Sequence, residues 1–337
     1  MSLLPYLHRA AAGEHLDASQ AEQAMAVILG GGASTAQIAA FLVALRMKGE
    51  TAGELLGFAR AMRAVASRVV LDEGGGPLLD TCGTGGDGLG TFNISTVAAF
   101  IVAGAGVRVA KHGNRSISSG CGSADVLERL GVRIALDADQ VARAIREVGI
   151  GFMFAPAFHP AMRHAQPARL ELKMRTVFNL LGPLTNPAGA SVQIVGAPSP
   201  RAAELMAEAL AALGLERGFV VHGSDGLDEI TTTGPTLVFE IRSGEVARRT
   251  VSPEDFGVPR AALEDLKGGD AATNSEIARA VLAGAAGPKR NVALVNAAAA
   301  LVAAGRAPDF TSGMRLAAEA VDSGAALAKL EQLAAFA

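Results

Sequence analysis

Between positions 83 and 90 the chain carries five glycines, inside a stretch that reads D-T-C-G-T-G-G-D-G-L-G-T-F-N-I-S-T from Asp80 to Thr96. A short apolar run, Leu78-Leu79, leads into it, and an apolar run with helical character follows from about Thr96 to Gly104. This order predicts strand, glycine loop, helix. Glycines let successive backbone N–H groups turn toward one anion. Asn93, Ser95 and Thr96 fall at the helix N-terminus, where free N–H groups and the helix dipole favour negative charge. The literal G-x-G-x-x-G at 83–88 fails as a dinucleotide site: the helix opens about seven residues late, and the next strand ends in Lys111-His112 instead of a ribose-binding carboxylate. The loop reads as a phosphate cradle, with Asp87 placed to accept from a ribose or ammonium group or to orient a metal-bound water. A tight strand-to-helix turn with an N-cap is the plainer alternative.

On either side of this loop the pattern differs. Residues 1–69 read as helical, with apolar residues at helical spacing in 19–29, 35–46 and 52–65, Ser19 and Ser34 at N-cap positions, and Gly30-Gly31-Gly32 as a break. Asp72-Glu73-Gly74-Gly75-Gly76 reads as a linker or turn. From residue 77 short apolar runs alternate with helical ones. Strands are expected at 107–110, 152–154, 191–196 and 219–222. Helices are expected after Ser123, Asp137 and Ser199-Pro200, and from Asn274 onward. Such alternation implies a mainly parallel sheet with helices on both faces. Ser243-Gly244 between 237–241 and 245–251 predicts an antiparallel hairpin. The basic segment 159–187 breaks the alternation; it either covers the sheet or returns to the helical part.

Two further stretches carry chemistry. K-H-G-N-R-S-I-S-S-G-C-G-S at 111–123 follows the 107–110 strand, and in α/β sheets ligands bind at the carboxyl ends of strands. It and the first glycine loop follow neighbouring strands of one βαβ unit, so both should reach one crevice and could hold a doubly phosphorylated ligand. A solvated polar loop would look the same, and His112 alone is no sign of catalysis. H-G-S-D-G-L-D-E-I at 222–230 places Asp228 and Glu229 together after a strand. Adjacent carboxylates suit Mg²⁺, which keeps water and bridges to phosphates. Surface Asp-Glu pairs are common, and Asp225 is a weaker candidate.

Composition removes other classes. The chain has 337 residues, 30 basic against 33 acidic, net charge −3, one Tyr and no Trp. That offers neither an electrostatic footprint for nucleic acid nor many stacking platforms. Two cysteines, Cys82 and Cys121, make no disulfide framework and no zinc spacing. The most apolar segment, 97–110, is short of the roughly 20 residues a membrane span needs. The N-terminus lacks the order of a signal peptide. A soluble cytoplasmic protein is expected, with no nucleic-acid or membrane partner.

D-T-C-G-T-G-G-D-G, N-I-S-T, K-H-G-N-R, H-P-A-M-R-H-A-Q-P-A-R, N-L-L-G-P-L-T-N-P and D-G-L-D-E together resemble the anthranilate phosphoribosyltransferase family, in order and spacing across most of the chain. This family joins anthranilate to 5-phosphoribosyl 1-diphosphate (PRPP) in tryptophan biosynthesis. The resemblance implies an α/β fold like that of pyrimidine nucleoside phosphorylases. A small all-helical domain, 1–69 plus part of 159–187, would serve dimerisation. A large α/β domain, 70–337, with a mainly parallel central sheet, would bind PRPP and Mg²⁺. Carried over residue by residue, Gly83, Gly86, Asp87, Thr91, Asn93, Ile94, Ser95, Thr96, Lys111, His112, Gly113, Asn114, Arg115, Ser118, Ser119 and Ser123 would bind PRPP. Gly83, Asn114 and Arg169 would contact anthranilate. Ser95, Asp228 and Glu229 would hold one or two Mg²⁺ ions, and Lys111, Asp228 and Glu229 would be catalytic. A homodimer is implied. Cys82 and Cys121 depart from the expected apolar and small polar residues and read as buried or loop thiols. Two competitors share the pattern less well. A nucleoside phosphorylase would not need the Asp228-Glu229 pair or Arg169. A non-catalytic nucleic-acid binder fits neither the charge nor the intact K-H-G-N.

Overall fold

In a computed structural model that describes residues 2–72, 74–85, 87–116 and 120–336, the N-terminal part is four helices: α1 (Leu4–Ala11), α2 (Ala18–Leu29), α3 (Thr35–Lys48) and α4 (Ala52–Ala64). Capping boxes start three of them, Asp17 with Gln20, Ser34 with Gln37 and Thr51 with Glu54. Ser34 caps as expected. Ser19 does not: it lies in the first turn of α2, and Asp17 takes the cap. The reason lies upstream, where the buried Leu16 is pinned by its N–H to Glu54 Oε1 at 2.9 Å and fixes where the helix can begin. Phe41 and Phe58 meet edge to face at 6.2 Å inside this bundle, a pairing that adds about 1 kcal/mol to their burial.

The rest is built on one seven-stranded sheet. Its elements in order are β1 (Leu78–Gly83), α5 (Ile94–Gly104), β2 (Arg108–Gly113), α6 (Ser123–Arg129), α7 (Ala138–Glu147), β3 (Ile150–Phe154), α8 (Ala155–Phe158), α9 (Gln166–Leu172), α10 (Phe178–Leu181), β4 (Val192–Gly196), α11 (Pro200–Ala212), β5 (Arg217–Gly223), β6 (Thr236–Arg242), β7 (Glu245–Val251), α12 (Ala271–Leu282), α13 (Pro288–Ala303), α14 (Phe310–Asp322) and α15 (Ala325–Ala334). Several bounds differ from the sequence expectation. β2 extends through Gly113, so Lys111, His112 and Gly113 are strand residues, paired with Phe152, Met153 and Phe154 of β3. α5 starts at Ile94, because Ile94 is already buried in the core. α12 starts at Ala271, capped by Asp270. The predicted hairpin joins β6 to β7, with Ser243 and Gly244 both at positive φ, 52° and 84°, as a tight turn between right-twisted strands requires.

Strand order is β3-β2-β1-β4-β5-β6-β7, the first five parallel and the last two antiparallel. From β1 the chain winds outward through β2 and β3, then crosses to β4 on the other side of β1. Winding therefore reverses between β1 and β4, the place where open α/β sheets bind ligands. That crossover is the 159–187 segment. Ala165, Ala168, Phe178, Leu181 and Leu184 from it share one apolar cluster with α1–α4, with α11, and with Val195, Val220 and Phe239 on one sheet face. Ile194, Phe219, Val221 and Val238 alternate onto the opposite face, under α5 and α12–α15.

Candidate active site

The last residues of β1 and β4, Gly83 and Gly196, are register partners at the reversal point. Asp228, on the loop after β5, lies directly over both. A methyl group on Gly83 would come within 2.7 Å of the Asp228 carboxylate, and one on Gly196 would collide with the Asp228 main chain. Glycine is needed here so that the acidic loop can sit on the sheet. Asp228 Oδ2 accepts from the Gly85 N–H at 2.9 Å and from the Thr84 hydroxyl at 3.5 Å. Glu229 Oε1 accepts from the Ser95 N–H, in the first turn of α5, at 3.1 Å. Ser95 Oγ lies 3.5 Å from Lys111 Nζ, which also donates to the Thr81 carbonyl at 2.6 Å. Ser95, Lys111, Asp228 and Glu229 thus converge from three separated stretches.

Charge is unbalanced in this cluster. Burial, and then repulsion from Asp87, push the Asp228 carboxyl up to about 6. Burial, and then Asp228, push Glu229 up to about 8. Burial lowers the Lys111 ammonium in turn, opposed by Asp80. Asp80, Asp87, Asp228 and Glu229 outnumber the cations that act on them, Lys111 and Arg175, and a hard cation with oxygen ligands would supply the missing positive charge. Among the described residues no three His, Cys, Asp or Glu side chains are arranged as a metal cage. The oxygen donors present, Ser95 Oγ and the Asp228 and Glu229 carboxylates, suit a cation that keeps water and shares a phosphate.

The second loop is held from its own helix. Asp125 accepts from Ser116 N–H at 3.2 Å and Gly122 N–H at 2.9 Å, and pairs with Arg115. Arg115 also pairs with Glu128, so its guanidinium is directed to α6. The Asn114 carbonyl accepts from Ser123 Oγ and Ala124 N–H, while its exposed side chain accepts from the Arg115 N–H. Gly113 packs against Ser123 and Phe152. Ile94 contributes its side chain to the core and its N–H to the Phe92 carbonyl. Thr96 is buried with its hydroxyl unpartnered among the described residues. Thr91 bridges to Lys267. His112 lies 5.1 Å from His159 with the rings tilted by 56°, and burial holds both rings neutral, His112 at about 3 and His159 at about 4. Arg169, on α9, lies over the Phe178 ring at 5.3 Å, makes no ion pair among the described residues, and is lowered by burial. Gly86, Ser118 and Ser119 lie outside the described residues.

Sequence reading missed the residues that hold the site from behind. Asp80 accepts from His112 N–H and from Asn186 Nδ2, at 3.1 and 2.7 Å. Asn296, on α13, receives the Ile230 N–H and donates to the Ile230 carbonyl, at 3.0 and 2.9 Å, clamping the main chain next to Glu229. Asp225 receives the hydroxyls of Thr231 and Thr233, so it braces the acidic loop. Arg175 donates to the Gly85 carbonyl at 3.3 Å. Asp80 and Asn186 lie inside motifs already singled out, and Asp225 reads in the sequence only as a weaker metal candidate; Asn296 and Arg175 sit in Ala-rich or basic surroundings that give no local signal.

Comparison with known proteins agrees with this geometry. Residues 4–66 match the helical bundle domain of a glycosyl transferase family, and residues 75–327 match its a/b domain. An anthranilate phosphoribosyltransferase from Solibacter usitatus is 69% identical over 337 residues, 100% of this chain and 99% of that one. The crystal structure of the Thermus thermophilus anthranilate phosphoribosyltransferase superposes with a TM-score of 0.92 at 46% identity, covering 98% of each chain. The Saccharomyces cerevisiae anthranilate phosphoribosyltransferase, solved in complex with PRPP and Mg, gives 0.90 at 29% identity, covering 98% of this chain and 96% of that one. The chain belongs to this glycosyl transferase family and, within it, to the anthranilate phosphoribosyltransferases.

Proposed function

We propose that this chain transfers the phosphoribosyl group of PRPP to the amine of anthranilate, releasing diphosphate and giving N-(5-phosphoribosyl)anthranilate for tryptophan biosynthesis. The observation that carries this is the buried Asp228-Glu229 pair set against the glycine loop at the β1–β4 reversal, short of positive charge. Ser95, Asp228 and Glu229 would hold Mg²⁺, in line with the PRPP and Mg of the S. cerevisiae relative. When bound, the ion neutralises charge on the leaving diphosphate.

The bond from ribose C1 to the diphosphate oxygen breaks, and its electron pair leaves with diphosphate. The amine lone pair of anthranilate forms the new bond to C1, and the amine then sheds one proton. Lys111 sets its amine under the loop, donating to the Thr81 carbonyl beside Ser95 Oγ, and N–H groups of the glycine loop would take the phosphates. Arg169, partly buried and without an ion pair among the described residues, clamps the anthranilate carboxylate with its planar fork. No covalent nucleophile is required.

The proposal includes a homodimer through the helical domain, 1–69 with part of 159–187, because Leu4, Met47, Leu170 and Met174 are exposed on its neighbouring helices α1, α3 and α9 and just beyond α9. No helix among the described residues is long and apolar enough to cross a membrane, and a cytoplasmic location belongs to the proposal. The test is loss of anthranilate fluorescence on mixing protein, anthranilate, PRPP and Mg²⁺, with EDTA as control. Mg²⁺-dependent loss is the expected result. Folded protein that binds PRPP and leaves anthranilate unchanged would overturn the acceptor.

A further inference from the structure

Asn93 is the N-cap residue of α5, yet its side chain makes no capping hydrogen bond. Asparagine is among the best N-caps, because its side-chain oxygen takes an N–H of the first turn. Here that oxygen is occupied elsewhere. Asn274, on α12 and buried, donates from Nδ2 to Asn93 Oδ1 at 3.1 Å. Asn93 Nδ2 in turn donates to the Cys121 carbonyl at 3.3 Å. The far end is fixed as well, since Asn274 Oδ1 receives the Gly269 N–H at 2.8 Å. A backbone donor at one end and a backbone acceptor at the other leave one orientation for both amides. The glycine at 268 is required for this approach, since a methyl group there would meet Asn274 Oδ1 and the Phe92 main chain.

We infer that Asn274 is a positioning residue for PRPP: it ties the loop after β1 to the loop after β2 and keeps Asn93 from capping α5. Cys121 immediately precedes Gly122, the N-cap of α6, so the chain of amides sets the N-termini of α5 and α6 relative to each other. In the first turn of α5 the Ser95 N–H is thereby left to Glu229 and the Thr96 N–H to the Asn93 carbonyl, and the Asn93 side chain stays off both. Without the Asn274 donor, Asn93 is free to fold back onto its own helix and occupy that turn. This inference rests on the PRPP reading above.

Asn274→Asp tests it. The substitution keeps the volume and the acceptor for Gly269, but sets a carboxylate oxygen against Asn93 Oδ1. Asn93 must turn its amide over and lose Cys121. PRPP affinity, read by calorimetry with Mg²⁺ present, should fall about tenfold, the scale of one hydrogen bond to an organised site, while the KM for anthranilate stays within about twofold. The half-buried Asn93→Ala should show a similar loss, and the double variant should be no worse than either single one. A merely structural Asn274 would lower the melting temperature and leave PRPP affinity within about twofold; that result, or losses that multiply in the double variant, overturns the inference. Should Asn274→Asp fail to fold, Asn93→Ala decides alone, because unchanged PRPP affinity there removes the tie. Wild-type protein that binds no PRPP would remove the function and this inference together. Binding without transfer to anthranilate would remove the acceptor only.

Discussion

The loop after β1 is held by residues more than a hundred positions away. Asp228 takes the Gly85 N–H, Lys267 donates to the Leu89 carbonyl, Gly268 donates to the Gly90 carbonyl, and Asn274 donates to the side-chain oxygen of Asn93. The loop after β2 is held from within. Asp125 gathers Arg115, Ser116 and Gly122, and the Asn114 carbonyl gathers Ser123 and Ala124. The first loop can take its shape only once β5, the acidic loop and α12 are in place. Among its described residues the second is held mainly by one helix a few residues on, with the Asn93 amide on the Cys121 carbonyl as its tie to the first. The described part of the first loop is thus coupled to distant parts of the fold, and that of the second mostly to its neighbouring helix.

The difference should show most strongly at Asp228 and Glu229, which both anchor the first loop and carry the proposed metal site. Asp228→Asn with Glu229→Gln should cut kcat/KM by about a thousandfold or more and abolish its dependence on Mg²⁺ concentration. Near-normal turnover in the folded double variant would show that the first loop stands without its distant anchor and that the metal lies elsewhere. Among the described residues no hydrogen bond or ion pair joins Arg169 to either loop. Arg169→Ala should raise the anthranilate KM by about 10–100-fold, the scale of a lost charge-assisted fork, and leave the PRPP KM alone. A matching rise in the PRPP KM would mean that Arg169 shapes the loops and does not read the acceptor.

The same division explains what the sequence could reveal. Glycine density at 83–90, the alternation of strands and helices, the Ser243-Gly244 hairpin and the cap at Ser34 are local, and a reader of the chain finds them. So is the Asp228-Glu229 pair, although its contact with Gly83 and Gly196 across two strands is not. Asn274 and Asn296 are buried amides inside Ala-rich helices, and nothing in their neighbours distinguishes them from core positions. Their importance lies wholly in what the fold brings against them. Ser19 fails for a related reason. Ser19-Gln20-Ala21-Glu22 and Asp17-Ala18-Ser19-Gln20 both read as capping boxes, and only the distant Glu54, holding Leu16, selects the second. The course of 159–187 is decided by an apolar match with α1–α4 that spacing alone does not define.

The local anchor offers the finer test. Asp125→Ala removes the acceptor for two backbone N–H groups and one of the two carboxylate partners of Arg115, while the long-range ties of the first loop stay in place. The start of α6 should fray, at a cost of about 1–2 kcal/mol in urea unfolding, the usual loss for an N-terminal cap. Because Arg115 keeps Glu128 and the Asn114 carbonyl keeps Ser123, the loop retains part of its shape. The PRPP KM should then rise only about threefold, with Mg²⁺ dependence and anthranilate KM unchanged. An effect on Mg²⁺ dependence would contradict the separation of the two loops. It would mean that the second loop reaches the acidic cluster through Asn93, and that the tie between Cys121 and Asn93 carries strain as well as position.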